Sequence, residues 1–493
     1  MIRVALVGLG RIADLHVPGY RRNPDACLHA LCDRDPEVLQ RRQAEWGVAR
    51  GTTDYAELLA DPTIDAVEIL TPQLLHEPQV CAALAAGKHV AVQKPLTVDL
   101  DAADRMLRAA AASGKVFKVT ENYVGYPPIV RARQLVQEGA IGRLVGVRLQ
   151  FVSGTEGGWE VPAAAWQWRV AEARAGRGAT TFDHGHHLWS TAWFLGGPVA
   201  RVSGRIEAAD GLMDCPAHFH WKYRDVQAIG GCDFFHGEGL RVPSHYYAND
   251  EWIELYGTTG LILVRRCTGR LREGPPLSLW DAAGWHHLEV PDDWQEGFTA
   301  ATHNFVAAIL GREPPLLDGP QAREVLRLSL ALQKAARTGR EVWLDELDSP
   351  VPAWTAWRCR RRERAAVPRP GLLERLGWGP DLVALAPRAL SLTEQLVRDF
   401  DPTAAGSARA RIGLILRGDG QPELQLGLVV EEGRAELLRT LPADARLTVT
   451  MRPGVWAAVL LKQKRIELAV LQGQVDFVGR AEEAVALRAA FHL

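Results

Sequence analysis

The chain has 493 residues, a formal net charge of −2 and 47% hydrophobic residues, which indicates a globular protein of about three domains. The near-neutral charge gives no electrostatic basis for binding nucleic acid, and no apolar run approaches the roughly 18 residues of a membrane-spanning helix. Seven scattered cysteines without a C-x-x-C pair predict reduced thiols. Because a strand pattern begins at residue 2 in place of a signal peptide, we expect a cytoplasmic protein.

The first thirteen residues have the pattern of a dinucleotide-binding turn. Ile2–Val7 is a short apolar run that predicts a buried parallel strand, and Gly8, Gly10 and Ala13 follow it as G-x-G-x-x-A. The glycines let the backbone approach a pyrophosphate, which binds free N–H groups at the start of the next helix. The alternative is a purely structural glycine turn. The cofactor contacts predicted in this loop are Gly8, Gly10, Arg11 and Ile12.

Apolar strands alternate with helical patterns over residues 1–122, which predicts a doubly wound parallel sheet of the Rossmann type. Asp33 ends the second strand, about 20 residues after the glycines. A carboxylate there can accept hydrogen bonds from the adenosine ribose and repel a 2′-phosphate, so Asp33 favours NAD over NADP. Arg34 leaves NADP open, because a guanidinium can turn toward a phosphate.

A further set of motifs lies between and after these strands. They are Thr71-Pro72, His76, Ala86-Gly87-Lys88-His89, Gln93-Lys94-Pro95 and Glu121-Asn122. With the glycine loop they resemble the glucose–fructose oxidoreductase, inositol dehydrogenase and rhizopine-catabolism family (Gfo/Idh/MocA). The resemblance implies that Lys94 reaches both the nicotinamide and the substrate hydroxyl. It also implies cofactor contacts from Thr71, Pro72, His76, Gln93 and Asn122.

Gln93 departs from the family pattern, which usually has glutamate at this position. The neutral amide removes a negative charge beside Lys94, which favours the uncharged amine. This change either tunes Lys94 for acid–base chemistry or impairs turnover.

The segment from Thr181 to Trp189 holds the predicted acid–base residues. Asp183 and His187 are four residues apart, so they share a face of a helical turn, where the carboxylate can orient the imidazole. The family signature D-x-G-x-H matches at Asp183, Gly185 and His187. The resemblance implies that His187 exchanges the substrate proton while Asp183 orients it, with Lys94 completing the triad. A metal site is the alternative for this histidine cluster, but the spacing fits poorly and we expect no metal.

Residues 123–345 are predicted to form an α+β domain with an open antiparallel sheet and one covered face. Five tryptophans between Trp159 and Trp193 either form core or line a sugar-binding cleft. The expected substrate contacts are Tyr123, Trp166 and Arg169. By resemblance, such an open sheet packs against a second subunit, so we expect a homo-oligomer.

Residues 346–388 are rich in proline and arginine and are expected to be a solvated linker. Residues 389–493 then have a helix, a hairpin around Gly418-Asp419-Gly420 and a late strand–helix order. This small α+β pattern resembles the sterol carrier protein 2-like family. The resemblance implies a tunnel for a lipid or other apolar ligand, and the alternative is an accessory domain with a filled core.

These features predict an NAD-dependent oxidoreductase. Hydride would pass between nicotinamide and a carbinol or keto carbon of a sugar, cyclitol or related polyhydroxy substrate. Two alternatives stay open: NAD-dependent elimination or hydrolysis of a glycoside on the same fold, and a non-catalytic NAD-sensing or lipid-carrier protein.

Overall fold

A computed structural model describes residues 1–160, 163–175, 177–207, 213–348, 380–400, 402, 409–431, 433–442, 444–471, 474–479 and 491. The predicted linker, 346–388, and the predicted last helix, 481–491, lie largely outside these residues. Among the described residues, no helix has the length and apolar character needed to span a membrane.

The described residues divide into two compact units. The first contains the described parts of Met1–Glu160, Thr180–Glu207 and Cys215–Arg360. The second contains those of Val161–Ala179, Ala208–Asp214 and Arg361–Leu493. The domains predicted at 1–122 and 123–345 therefore share one unit, and two short segments of the latter belong to the other unit.

The first sheet is parallel, with its strands in the order β3-β2-β1-β4-β5-β6. These strands are β1 Ile2–Val7, β2 Ala26–Cys32, β3 Arg50–Thr52, β4 Ala66–Ile69, β5 His89–Gln93 and β6 Phe117–Thr120. The helices between them are Ala13–Arg22, Pro36–Trp46, Tyr55–Ala60, His76–Ala85 and Leu100–Ser113. The predicted doubly wound sheet is confirmed. Ligands of such sheets bind where the strand order reverses, here at the carboxyl ends of β1 and β4.

The second sheet of this unit has nine strands among the described residues. They are Leu144–Glu156, Val199–Ile206, Ala217–Tyr223, Ile229–Arg241, Asn249–Gly257, Leu261–Val264, Leu277–Asp281, Gly284–Leu288 and Val342–Trp343. The accompanying helices are Pro127–Gln137, Gly185–Gly196, Gln295–Ile309 and Gly319–Thr338. The predicted all-antiparallel pairing is wrong, because Ile229–Arg241 runs parallel to Leu144–Glu156. The helix Gly185–Gly196 carries the chain to Val199–Ile206. Two antiparallel pairings then place Ile229–Arg241 beside Leu144–Glu156 in the same direction, which produces a mixed sheet.

One face of the second sheet is covered by helices. Ala217–Tyr223 alternates between buried and partly or fully exposed side chains, as expected for a strand with one face in the core. On the buried side, the Trp189 ring packs edge-on against Phe219, with their centroids 5.3 Å apart. This tryptophan therefore belongs to the core.

The second unit contains a five-stranded sheet. In spatial order the strands are Arg434–Leu438, Gln421–Glu431, Ala410–Gly418, Leu447–Met451 and Val475–Gly479. Its helices among the described residues are Ala163–Arg174, Leu382–Leu385, Ala389–Arg398, Pro453–Leu460 and Ile466–Leu471. The predicted hairpin turn is present: Asp419 and Gly420 have φ values of 53° and 69°, a pair that fits a two-residue turn of the kind that matches strand twist.

A buried lysine links the first sheet to the helix Gln295–Ile309. Lys118, in β6, is 1% exposed, and its Nζ donates to Ala301 O at 3.0 Å and to Asn304 Oδ1 at 2.9 Å. Burial lowers the pKa of this ammonium from 10.5 to about 7. The folded protein therefore holds Lys118 largely uncharged at alkaline pH.

We expect Lys118 to make stability depend on pH. Above pH ~7 the unfolded chain binds a proton that the folded chain has released, so this residue raises the free energy of unfolding by up to about 1.4 kcal/mol per pH unit. Lys118→Met removes this titration, and its melting temperature should rise less than that of the wild type between pH ~7 and ~9. Calorimetry on both proteins measures the difference. Lys115→Met, a partly exposed neighbour, is the control; identical pH dependence in all three proteins contradicts the prediction.

Candidate active site

The glycine loop lies at the carboxyl end of β1. Gly8 has a φ of 86°, and a Cβ there would lie 3.0 Å from the Leu70 carbonyl carbon and from Thr71 Cγ2. A Cβ on Gly10 would meet no described atom within 4 Å. The helix Ala13–Arg22 that follows has no side-chain hydrogen bond capping its first turn. The N–H groups of Ala13, Asp14 and Leu15 already donate to carbonyl groups of the turn. The pyrophosphate of a dinucleotide would therefore meet the N–H groups of Arg11 and Ile12, next to the open glycine.

Asp33 and Arg11 border this loop. Asp33 Oδ2 accepts a hydrogen bond from Leu9 N–H at 2.8 Å, which fixes the carboxylate at the end of β2. Arg34 beside it is exposed. The Arg11 guanidinium lies 4.1 Å from the ring centre of Trp159. The carboxylate is thus placed where the ribose of a dinucleotide bound to the glycine loop would lie.

The other predicted cofactor residues lie at the ends of β4, β5 and β6. Both amide atoms of Asn122 are buried and have no hydrogen-bond partner among the described residues, which fits contact with a bound group. His76 braces two loops, because its Nε2 lies 2.8 Å from Thr71 O and its Nδ1 lies 2.9 Å from Pro95 O. Burial lowers the pKa of His76. A neutral imidazole has one N–H, so one of these two contacts is a hydrogen bond and the ring packs between the two loops.

An ion pair between Lys94 and Asp183 lies at the centre of the site. Lys94 follows β5, and Asp183 belongs to a π-helical turn, Ala179–His184, that leads into the helix Gly185–Gly196. Lys94 Nζ donates to Asp183 Oδ1 at 3.0 Å and to Asp183 O at 2.8 Å. An ammonium has three N–H groups, so one remains for a substrate oxygen.

His187 is held by a carboxylate and an aromatic ring. Its Nδ1 lies 2.6 Å from Glu121 Oε1, and the Tyr123 ring stacks on it at a centroid distance of 4.5 Å. Burial lowers the pKa of His187 well below its ordinary value, and the Lys94 ammonium lowers it further. Burial also raises the pKa of Glu121. The imidazole is therefore neutral near pH ~7 and can accept a proton at Nε2.

Two predicted contacts differ from this arrangement. The carboxylate at His187 Nδ1 was expected to be Asp183, whose Oδ1 accepts from Lys94 because the π-helical turn carries it to the end of β5. Tyr123 was expected to contact the substrate. Tyr123 is 1% exposed, and its hydroxyl lies 3.1 Å from Thr268 Oγ1. It is therefore a core residue that packs on the buried side of the His187 ring.

A second histidine–carboxylate pair lies beside the first. His184 Nε2 lies 2.8 Å from Glu251 Oε1. Glu251 is fully buried and also accepts hydrogen bonds from Asn249 Nδ2 at 2.6 Å and from Thr268 Oγ1 at 3.0 Å. The His184 and His187 rings are 5.2 Å apart, so both pairs border one site.

The three histidines have separate environments. His184 and His187 each contact their own glutamate, and burial lowers the pKa of His186 to about 3. Within the described ranges, no group of three or more metal-ligating side chains comes together.

Gln93 connects Lys94 to a buried polar network. Its Oε1 accepts from the Lys94 backbone N–H at 2.8 Å, so its Nε2 points to His16 Nε2 at 2.9 Å. His16 must accept there, which places its proton on Nδ1, 2.9 Å from Glu68 Oε1. Thr120 Oγ1 donates to the same oxygen at 2.8 Å. The amide therefore fixes the tautomer of a buried histidine.

Two predicted substrate contacts lie on the helix Ala163–Arg174 of the second unit. The side chain of Trp166 lies outside the described residues. The Arg169 guanidinium lies 4.7 Å from the ring centre of Trp168. Substrate contact by Trp166 and Arg169 stays a prediction.

The sequence motifs do not predict the roles of Glu121 and Glu251. Glu121 belongs to a quoted motif, and the pair Asp250-Glu251 in an apolar strand was a usable signal, since acids are rarely buried without a partner. Their histidines lie 66 and 67 residues away in the sequence, beyond any local spacing rule.

Two family models match the chain. Residues 2–121 match the oxidoreductase family with an NAD-binding Rossmann fold, and residues 129–263 match the GFO/IDH/MocA C-terminal domain. A D-apiose dehydrogenase from Rhizobium rhizogenes is 30% identical over 358 residues, which cover 69% of this chain and 97% of that protein. The myo-inositol 2-dehydrogenase of Thermotoga maritima is 25% identical over 354 residues, covering 70% and 99% of the two chains.

The solved structures agree in fold. An oxidoreductase from Agrobacterium radiobacter, in complex with NAD+, L-tartaric acid and magnesium, matches with a TM-score of 0.62 at 23% identity. The match covers 70% of this chain and 99% of that one. The predicted oxidoreductase activity and NAD cofactor are confirmed. The chain belongs to the Gfo/Idh/MocA family of NAD-binding oxidoreductases.

Proposed function

We propose that the protein transfers hydride between NAD and a carbinol or keto carbon of a sugar, cyclitol or related polyhydroxy compound. The observation that carries this proposal is the cluster of Lys94, Asp183 and His187. It places an ammonium with a spare N–H group beside a neutral imidazole. The relatives named as D-apiose and myo-inositol dehydrogenases support the substrate class.

The chain's own residues manage the proton and the charge on oxygen. During oxidation, His187 takes the hydroxyl proton at Nε2 while Glu121 holds Nδ1. The remaining N–H of Lys94 donates to the substrate oxygen and stabilises the negative charge that develops there. When bound, NAD supplies the hydride acceptor at nicotinamide C4. Reduction reverses each transfer.

The cofactor would be held by the loops at the carboxyl ends of the first sheet. Gly8 and Gly10, with the N–H groups of Arg11 and Ile12, fit the pyrophosphate, and Asp33 fits the ribose. The remaining proposed cofactor residues are Arg34, Thr71, Pro72, His76, Gln93 and Asn122.

Replacing Lys94 or His187 should remove the chemistry and spare cofactor binding. We expect Lys94→Met and His187→Asn each to lower kcat by roughly 10²- to 10⁴-fold, because proton transfer and charge stabilisation are lost. NADH fluorescence titration should give nearly unchanged Kd values, and Lys115→Met serves as the control.

Unchanged kcat in both variants would contradict the assigned roles. Tight NADH binding by the wild type without turnover, across pentoses, hexoses and inositols, would favour the NAD-sensing alternative. Glycoside cleavage without net NADH formation would favour the elimination alternative.

We propose that the protein forms a homo-oligomer through the open face of its second sheet. A row of apolar side chains crosses this face, because the strand register aligns Ile229, Tyr256, Leu261, Trp280 and Trp285. Trp280 and Trp285 pair directly, and they are 41% and 48% exposed. A contiguous apolar row on a sheet is typical of an interface.

The double variant Trp280→Asp/Trp285→Asp should lower the mass of the particle to that of one chain, because two charges would be buried unpaired in the interface. Size-exclusion chromatography with light scattering measures the mass. Trp343→Asp, a tryptophan of 50% exposure on an edge strand, should leave it unchanged. An unaltered mass in the double variant would exclude this interface.

We propose a cytoplasmic location. No disulfide bond joins the cysteines in the described part of the chain, which are Cys27, Cys32, Cys81, Cys215, Cys232 and Cys267. Free thiols are typical of a reducing compartment.

We propose that the second unit, residues 389–493 in particular, is a sterol carrier protein 2-like domain with an apolar ligand. Its sheet and its apolar helix Pro453–Leu460 support this proposal. The core side of that helix is buried, and Trp456 Nε1 donates to Thr393 Oγ1 at 2.8 Å.

Native mass spectrometry of the full chain, incubated with palmitate or with cholesterol, tests the apolar ligand. We expect each protein chain to retain one ligand, because moving an apolar molecule out of water lowers the free energy of the system. Bovine serum albumin with palmitate and a soluble globular enzyme without a lipid site are the controls. If albumin retains palmitate but this protein retains neither ligand, the apolar-ligand proposal is contradicted, and an accessory domain with a filled core is favoured.

A further inference from the structure

We propose that His184 binds a second hydroxyl group of the substrate, on a carbon next to the reacting carbinol. This inference rests on the proposed function and narrows its substrate class to compounds with a free hydroxyl at that neighbouring carbon. His184 is then a specificity-determining residue that stands beside the proton-transfer residue His187.

The tautomer of His184 follows from its partner. Nε2 lies 2.8 Å from Glu251 Oε1, and a carboxylate accepts, so the proton is on Nε2. Glu251 is itself fixed, because Asn249 and the backbone and side chain of Thr268 donate to its two oxygens. When the ring is neutral, Nδ1 presents a lone pair, which can accept a hydrogen bond from a hydroxyl group.

The position of His184 indicates that this lone pair borders the substrate site. Its side chain is 18% exposed, against 13% for Lys94, 10% for Asp183 and 8% for His187. Among the described residues, Nδ1 has no hydrogen-bond partner and is not enclosed. A histidine that served only the core would have its outer nitrogen satisfied or buried.

The two histidines are held as a unit. The Tyr123 ring stacks on His187, and its hydroxyl contacts Thr268, which donates to Glu251 behind His184. The His184 ring in turn packs against the His187 ring, with their centroids 5.2 Å apart. This spacing lets the two rings contact oxygen atoms on neighbouring carbons of one substrate.

His184→Gln isolates the role of Nδ1. The glutamine amide can still donate to Glu251, but the acceptor at the position of Nδ1 is lost. His286→Gln is the matched control, because His286, on the exposed edge strand, makes a similar contact of 2.9 Å from its Nε2 to Asp281.

The full-length wild type and both variants are assayed with the best substrate from a panel of pentoses, hexoses and inositols. Each is then assayed with the monodeoxy analogues that lack one hydroxyl beside the reacting carbon. NADH-binding titrations and melting temperatures are measured in parallel.

We expect one deoxy analogue to be poorer for the wild type by roughly 10- to 100-fold in kcat/KM, because it leaves Nδ1 without its donor. His184→Gln should lose a similar factor on the parent compound, mostly in KM, and should no longer distinguish parent from analogue. His286→Gln should behave as the wild type.

Equal losses on parent and analogue in His184→Gln, with the wild-type discrimination intact, would overturn the role of His184 and leave the proposed function standing. Equal wild-type kcat/KM on the parent compound and on every monodeoxy analogue would also overturn the role of His184 and leave the proposed function standing. Tight NADH binding without turnover on any compound would overturn the proposed function and this inference together.

Discussion

The ion pair between Lys94 and Asp183 joins the end of β5 to the π-helical turn, and the geometry of the site depends on it. The two residues are 89 positions apart in the sequence. Their contact fixes the start of the helix Gly185–Gly196 against the first sheet. Both side chains are largely buried, so solvent and salt screen their attraction only weakly. His184 follows Asp183 directly in the π-helical turn, and His187 lies in the first turn of the helix Gly185–Gly196, so this pair positions both histidines.

Gln93 fixes the tautomer of the buried histidine that its amide contacts. Its amide donates to His16 Nε2, and the proton of His16 is therefore directed at Glu68. A carboxylate at this position would offer two acceptors, and His16 would then need N–H groups on both nitrogens. The departure from the usual glutamate thus removes a charge beside Lys94 and directs the Nδ1 proton of a fully buried imidazole at Glu68.

The sequence predicted the structural features that are determined by residues close together in the chain. The strand β1, the helices Pro36–Trp46 and Leu100–Ser113 and the turn at Asp419-Gly420 follow from local periodicity, capping and turn chemistry. β3 was missed because three residues give no readable period. The parallel pairing of Ile229–Arg241 with Leu144–Glu156 depends on a long crossover, and local alternation does not distinguish it from antiparallel pairing.

The same division applies to the site. The glycine loop, Lys94 and His187 could be identified because each belongs to a short motif. The carboxylates that hold the histidines could not be paired with them, because each contact is made only after distant strands meet.

The second unit is not a contiguous stretch of chain, since it includes Val161–Ala179 as well as the C-terminal residues. At the end of the helix Ala163–Arg174, Arg174 donates to the backbone oxygens of Val470 and Val475. A stop codon placed before the C-terminal sheet would therefore remove the acceptors of an arginine encoded some 300 positions earlier. In genetic terms the two units are interleaved, so neither can be exchanged between related genes by a single crossover.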